Sequence, residues 1–368
     1  MPSRAPGVRI LSVVGARPNL VKLAPVVRAL ASRPVVEHLV VHTGQHYDAS
    51  MSGTFFEELE IPAPHANLEV GSGTHAQQTA AVLERFEPIC RDTRPDWVLV
   101  YGDVNSTVAA ALVAAKLGVR VAHVEAGLRS YDRTMPEEHN RVVTDHLSDL
   151  LFAPSRDAVN NLLHEGIAIE RLSFVGNVMI DTLVRVLSRA RALCTASRLG
   201  VAIGQFALVT LHRPANVDNP KVFLELCDGL AEIHRHMPVV FPIHPRSRAR
   251  LREWDTVSRL ADVCLVNPLP YAAMLDLIDT ARLVITDSGG VQEESTFLGV
   301  PCLTVRPNTE RPITITEGTN RLVPATRDEL VEAALGPVER RVPAQLDRWD
   351  GRASERLVAV LCEGKRFD

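Results

Sequence analysis

The sequence predicts an α/β protein of two Rossmann-like, doubly wound domains in succession, and three observations predict it. Runs such as Val8–Val14, Asp96–Val100 and Ala281–Ile285 are apolar nearly throughout, as strands of a parallel sheet buried on both faces are. Most such runs lead into a turn bearing Gly, Pro or a charged residue and then into a stretch with helical spacing, the signature of βα units. The chain has 368 residues, more than one core serves, and the alternation restarts near residue 206. The expected divisions are 1–175 for the first domain, 176–350 for the second, nucleotide-binding one, and 351–368 for a C-terminal helix.

Composition narrows the function classes. The chain is 46% hydrophobic and 23% charged, an ordinary globular mix, and its net charge of −4 gives no reason to expect nucleic acid or an anionic membrane as partner. Its six cysteines are scattered, with no Cys-x-x-Cys pair, which points to a reducing, cytoplasmic setting without a disulfide frame or structural zinc. The N-terminus leads directly into a strand, so no signal peptide is expected, and no apolar run reaches membrane-spanning length.

Taken in order, the strand Val8–Val14 ends in Gly15-Ala16-Arg17-Pro18-Asn19, with Pro18 suited to a helix start and Lys22 on the helix that follows. Val35–Val41 is a strand that leads to Gln45-His46, and a helix is expected from Ser50 to Glu58. Residues 61–73 read as loop and Thr74–Arg91 as a long helix. The strands Asp96–Val100 and Val119–Val124 end in Asp103 and Glu125, and Pro136-Glu137-Glu138 opens another helix. After the strand Leu150–Ala153 the first domain closes near Gly176, and a linking helix runs to Cys194. The second domain has strands at Phe206–Leu211, Val239–Ile243, Val263–Val266, Ala281–Ile285 and Pro301–Val305, and a last helix is expected over Ala353–Cys362.

The most informative stretch is Ile285 to Glu294. A strand feeds Ser288-Gly289-Gly290 and then a helix to about Leu298. Ser288 suits the N-cap, Gly289 and Gly290 admit a ligand close to the backbone, and free N–H groups with the positive end of the helix dipole suit phosphate. Glu294, inside that helix, suits a ribose hydroxyl. Gly71-Ser72-Gly73 with Ala76 matches a dinucleotide fingerprint but follows no strand, so it reads as a loop and helix start.

Polar residues collect where strands end: Arg17, Gln45-His46, Asp103, Glu125, His212-Arg213, His244 and Ser288. In open α/β sheets that is where ligands bind, and two facing domains would bring these residues to one interdomain cleft. His212, beside Arg213, and His244, in His244-Pro245-Arg246, suit phosphate handling; Arg311, in a loop after the last strand, suits a phosphate or a base. Asp103, Glu125 and Glu137 suit either magnesium or acid–base chemistry on a sugar whose phosphate leaves. The bland alternatives are a solvated helix face for Arg17 and Lys22, a dipole-relieving first turn for Glu137 and a surface loop for Arg311.

Gly15-Ala16-Arg17-Pro18 with Lys22, Tyr101-Gly102-Asp103, His123-Val124-Glu125-Ala126-Gly127-Leu128-Arg129, Pro136-Glu137-Glu138 with Asn140-Arg141, Leu211-His212-Arg213, Asp287-Ser288-Gly289-Gly290 with Glu294, and Glu310-Arg311-Pro312 occur together in this order. From about residue 8 to about 325 the chain thereby resembles the UDP-N-acetylglucosamine 2-epimerases. The resemblance implies a GT-B-type arrangement of the two domains, a C-terminal helix returning to the first, a homodimer, a UDP-sugar substrate, a cytoplasmic role, and neither metal nor nicotinamide cofactor. It implies elimination of UDP to 2-acetamidoglucal and re-addition after protonation on the other face. Asp103, Glu125, Glu137, His212 and Lys22 are then catalytic, and Arg17, His244, Ser288, Gly289, Gly290, Glu294 and Arg311 bind substrate.

This sequence departs from the family pattern at three places. Asn19 stands where many members have Glu, and Tyr47 where regulated bacterial members have Arg. Pro214-Ala215-Asn216 replaces their Arg-Glu pair. Those members use the last two positions to bind an activating second UDP-N-acetylglucosamine. The alternatives are a hydrolysing epimerase that releases N-acetylmannosamine and UDP, or a 2-epimerase of a UDP-2,3-diacetamido sugar. From other classes come a GT-B glycosyltransferase, which needs an acceptor but not three carboxylates, a non-catalytic UDP-sugar sensor, which binds without turnover, and a dinucleotide oxidoreductase, which binds NAD.

Overall fold

The computed structural model describes residues 7–44, 55–337 and 345–363. Gln45, His46 and Tyr47, and the helix expected from Ser50 as far as residue 54, lie outside the described residues. The chain divides into two units, one of residues 1–182 with 347–368 and the other of residues 183–346.

The first unit holds seven parallel strands: β1 (Val8–Val14), β2 (Val36–His42), β3 (Ala66–Asn67), β4 (Trp97–Tyr101), β5 (Arg120–Val124), β6 (Leu150–Ala153) and β7 (Leu172–Phe174). Their order in the sheet is β3-β2-β1-β4-β5-β6-β7. β1 and β4, buried along most of their length, form its centre, with Leu11, Val13, Val98 and Val100 packed against Val82, Phe86 and Ala110 of the covering helices. The order reverses between β1 and β4, the switch point at which such sheets open a crevice beyond their carboxyl ends. The turns after β1 and β4 carry Arg17 and Asp103.

The second unit holds six parallel strands: β8 (Ala207–Thr210), β9 (Val239–Pro242), β10 (Cys264–Val266), β11 (Leu283–Thr286), β12 (Cys302–Val305) and β13 (Asn320–Val323). The order is β10-β9-β8-β11-β12-β13, with the switch point between β8 and β11. His212 follows β8 and Ser288 follows β11.

Three strands, β3, β7 and β13, had no expectation in the sequence; β7 is only three residues long and pairs with β6 at the other edge of its sheet. β3 is two residues long, too short for any period to register, and pairs with β2 at the sheet edge. β13 reads Asn-Arg-Leu-Val because it is an edge strand paired only with β12, so apolar residues are not required on both faces. The segment Gly71–Ala76 is a loop and helix start: Thr74 Oγ accepts from Gln77 N–H at 3.2 Å, and Gln77 Oε1 accepts from Thr74 N–H at 3.0 Å, a reciprocal cap for the helix His75–Thr93.

The first unit is completed by residues far along the chain. The helix Ala353–Glu363 packs on the helix Arg17–Ala31, and Asp181 accepts from Ala353 N–H at 3.0 Å and Ser354 N–H at 2.7 Å to cap it. Trp349 is buried and donates its indole N–H to the Pro154 carbonyl at 3.0 Å. Gly176, with φ +91°, has room for no side chain, because a Cβ there meets the Arg348 backbone carbonyl.

Candidate active site

At the first switch point the carboxylates are matched with cations. Lys22 and Glu125 are only 4% and 6% exposed, and the Lys22 ammonium forms an ion pair with Glu125. Gly102, with φ +63°, leaves the space this needs, since a Cβ there sits 2.8 Å from the Lys22 Nζ. Glu125 itself has φ +73°, a conformation that costs about 1–3 kcal/mol in a residue with a side chain and that clusters at functional sites. Asp103 receives Arg141 Nη2 at 2.5 Å, and Asn140 donates to the Asp103 carbonyl at 2.9 Å. Arg17 opens the helix Arg17–Ala31, with its guanidinium 5.5 Å from the Phe55 ring centre.

The helix Pro136–Leu147 supplies most of this frame. Pro136 starts it, and Glu137, half-buried, sits in its first turn. Glu138, Arg141, Thr144 and Asp145, at spacings of three, four and seven, are buried, so its inward face is polar. Glu138 accepts from Ser130 N–H, Tyr131 N–H and Arg141 at 3.0, 2.8 and 2.6 Å. Burial opposes ionisation of Glu138, but the Ser130 and Tyr131 bonds and Arg141 outweigh it and hold its pKa below the usual carboxylate range.

Asn19, one of the three departures, has a structural reason. Its side-chain oxygen accepts from Gly15 and Ala16 N–H at 3.3 and 3.1 Å, and its amide donates to the Tyr101 carbonyl at 2.9 Å. It ties the turn after β1 to the end of β4. A carboxylate could accept the first two bonds but has no proton for the third.

At the second switch point the hub is Asp287, which is fully buried. Its carboxylate accepts from His212 N–H at 2.9 Å, Arg213 N–H at 2.8 Å and Asn216 Nδ2 at 3.1 Å. It also lies 3.0 Å from His212 Nδ1. Burial raises the Asp287 pKa, but His212 and these N–H groups lower it further, so the carboxyl stays ionised. Nδ1–H of His212 therefore points at Asp287, and Nε2 is the ring's other nitrogen.

His244 lies beside His212, ring centres 5.3 Å apart, and its Nδ1 accepts from Arg246 N–H at 3.2 Å to cap the helix Pro245–Glu253. Ser288 occupies the N-cap position of the helix Gly289–Leu298, with φ −85° and ψ 130°, but its hydroxyl makes no cap bond. The first N–H groups of the helix are therefore not satisfied by that side chain. Gly290 is the second residue of this helix.

Arg311 stands behind Gly289. A Cβ on Gly289 would collide with the Arg311 guanidinium, so this glycine serves a side chain of its own unit. Arg311 is ion-paired with Glu310, and its Nε lies 2.9 Å from Glu293; Arg306 meets the other Glu310 oxygen at 2.8 Å. Glu294 is buried beside Glu293, and burial pushes its pKa up to about 7.

Two groups result. Arg17, Lys22, Asp103, Glu125 and Glu137 belong to the first unit, and His212, His244, Ser288, Gly289, Gly290, Glu294 and Arg311 to the second. Asp287, Arg141, Glu138 and Arg306 were not singled out by sequence reasoning. The available signal was charge at positions 138, 141 and 145 of one helix, facing inward.

A family model described as UDP-N-acetylglucosamine 2-epimerase matches residues 28–362. The chain is 42% identical to the UDP-N-acetylglucosamine 2-epimerase of Methanocaldococcus jannaschii, covering 97% of this chain and 100% of that one. It is 41% identical to the UDP-2,3-diacetamido-2,3-dideoxy-D-glucuronate 2-epimerase of Pseudomonas aeruginosa, with 97% and 100% covered. The crystal structure of the Methanocaldococcus jannaschii enzyme in complex with UDP-GlcNAc and UDP superposes with a TM-score of 0.89 at 41% identity, over 96% of this chain and 99% of that one. An isomerase of doubly wound α/β fold, the chain belongs to the UDP-N-acetylglucosamine 2-epimerase family.

Proposed function

We propose that the protein interconverts UDP-N-acetylglucosamine and UDP-N-acetylmannosamine without net hydrolysis. The observation that carries this reading is the first-unit cluster in which Lys22 pairs Glu125 and Arg141 pairs Asp103, in a chain 42% identical to a UDP-N-acetylglucosamine 2-epimerase over 97% of its length.

The chemistry needs these groups. No carbonyl acidifies the proton on carbon 2 of the sugar, so direct deprotonation is prohibitive. Departure of UDP, with the electron pair of the C1–O bond, leaves positive charge at carbon 1 and makes the neighbouring proton acidic. A carboxylate takes that proton, the C1–C2 double bond forms, and 2-acetamidoglucal results. A second acid returns a proton to the opposite face of carbon 2, and the UDP oxygen re-forms its bond to carbon 1. Asp103, Glu125 and Glu137 carry the proton transfers and stabilise the positive centre. Lys22 holds Glu125 in place.

The second unit holds the leaving group. Ser288, Gly289 and Gly290, with His212, take the diphosphate; the uncapped helix start supports this. His212, whose ring Asp287 orients, faces the leaving group in this reading, and His244 supports that ring. Glu294 takes the ribose. Arg311, bound to Glu293 and Glu310, shapes the helix start.

Proton NMR in heavy water with UDP-N-acetylglucosamine tests the reading. UDP-N-acetylmannosamine with deuterium at carbon 2, in equilibrium with deuterated starting sugar, is expected. Free N-acetylmannosamine with UDP would replace it by the hydrolysing reading. The 41% identity to the diacetamido epimerase favours a second reading, in which the sugar carries a carbon 3 acetamido group and a carboxylate. The same spectra with that substrate decide between them. The resemblance also carries a homodimer, which light scattering tests, and a cytoplasmic role; no helix among the described residues is long and apolar enough to cross a membrane.

A further inference from the structure

Beneath the turns that carry Asp103 and Glu125 lies a charged network with no assigned part in the reaction. His123, on β5, and Asp145, on the helix Pro136–Leu147, are both 0% exposed. His123 Nδ1 lies 2.6 Å from Asp145 Oδ1, and Nε2 lies 2.7 Å from the Gly102 carbonyl oxygen. Both partners are acceptors. A neutral ring would turn a lone pair on one of them at hydrogen-bond distance, so the ring carries a proton on each nitrogen.

Charge balance leads to the same state. The second Asp145 oxygen meets Arg129 Nη2 at 2.7 Å, and Arg129 binds Glu165 through two bonds of 2.7 Å. With an imidazolium, His123 and Arg129 balance Asp145 and Glu165. With a neutral ring the network would carry a net negative charge, part of it on Glu165, whose side chain is 25% exposed. Burial would raise the Asp145 pKa, but His123 and Arg129 hold it below the usual range, so its proton does not supply the alternative.

The network touches both catalytic turns. The Gly102 carbonyl is held by His123 and the Gly102 N–H by the Val124 carbonyl at 3.0 Å, so Asp103 leaves a turn fixed to β5 at both atoms. Asp145 also accepts from Gly127 N–H at 3.1 Å, two residues beyond Glu125.

We propose that His123, as an imidazolium clamped between Asp145 and the Gly102 carbonyl, is a positioning residue that fixes Asp103 and Glu125 relative to each other for proton transfer at the sugar. This rests on the epimerase reading above. It adds a group that touches no substrate and acts through two backbone turns.

Nitrogen-15 NMR of the His123 ring in the full-length protein tests the charge state without reference to activity. Two protonated nitrogens are expected; a neutral tautomer overturns the proposal. His123→Asn removes the bond to Gly102. It is expected to lower kcat by about 10²-fold, the scale of a misplaced catalytic group, with the Kd for UDP within about twofold. His123→Gln, whose amide reaches further, is expected to restore part of the rate. Parallel losses of kcat and UDP affinity, or an unchanged kcat in a folded His123→Asn, would overturn the positioning role. If neither variant folds, the ring NMR of the wild-type protein decides. Absence of turnover by the wild-type protein would defeat the epimerase reading instead, and would leave the ring NMR to judge the clamp.

Discussion

Asp287 governs what His212 can do. Replacing it by Asn keeps an acceptor but removes the charge that fixes the ring's tautomer. Asp287→Asn is expected to lower kcat by about 10²–10⁴-fold, the range for loss of a positioned acid–base group, while circular dichroism stays unchanged. Glu294 makes a pH prediction. Its pKa is raised to about 7 by burial, so the folded protein binds a proton that the unfolded chain releases near pH 4.3. That costs stability as pH rises from about 4 to 7, so Glu294→Gln is expected to raise Tm at pH 8 more than at pH 5. Asp145, Asp287 and Glu138 work in the other direction, since their pKa values are depressed. Their stabilisation is present above about pH 4 and is lost as pH falls through their folded values, so acid unfolding should be steep there. Asp103 and Glu125 were legible in the sequence because each directly follows an apolar strand. His123, Asp145 and Arg141 were not, because their partners lie 21 to 38 residues away and only the folded sheet brings them together.

The helix Gly289–Leu298 starts with two residues whose replacement is expected to act differently. Ser288 sits at the N-cap without capping. Losing a hydroxyl that does cap costs about 1 kcal/mol. Ser288→Ala is therefore expected to leave Tm nearly unchanged while weakening UDP binding in calorimetry; unaltered UDP affinity would remove Ser288 from the phosphate site. Gly289→Ala should instead destabilise, by about 1–3 kcal/mol, because its methyl meets the Arg311 guanidinium. The strand–glycine–helix pattern was readable from spacing alone. That Gly289 makes room for Arg311, and that Arg311 is already paired with Glu293 and Glu310, was not, since nothing local in the sequence couples residues 289, 293 and 311. Edge elements were hardest to read: β3 is too short and β13 too polar for periodicity to mark them.

The two sheets were legible from the alternation of apolar runs and amphipathic stretches, and each places its charged residues at its own switch point. The units differ in how the chain builds them. Residues 183–346 form the second unit without interruption, whereas the first needs 347–363 as well as its own first 182 residues. Trp349, with its indole bonded to Pro154, is one anchor of that return, and Trp349→Ala is expected to cost about 3–5 kcal/mol in denaturant unfolding of the first unit. A consequence concerns the order of events during synthesis. The second unit has its whole sequence once residue 346 has left the ribosome. The first, although translated earlier, still lacks the helix Ala353–Glu363 that covers the face of Arg17–Ala31, and waits with that apolar surface open. Pulse-labelled nascent chains should therefore show protease resistance in residues 183–346 before residues 7–182. The unit that carries Asp103 and Glu125, though translated first, is the last to close.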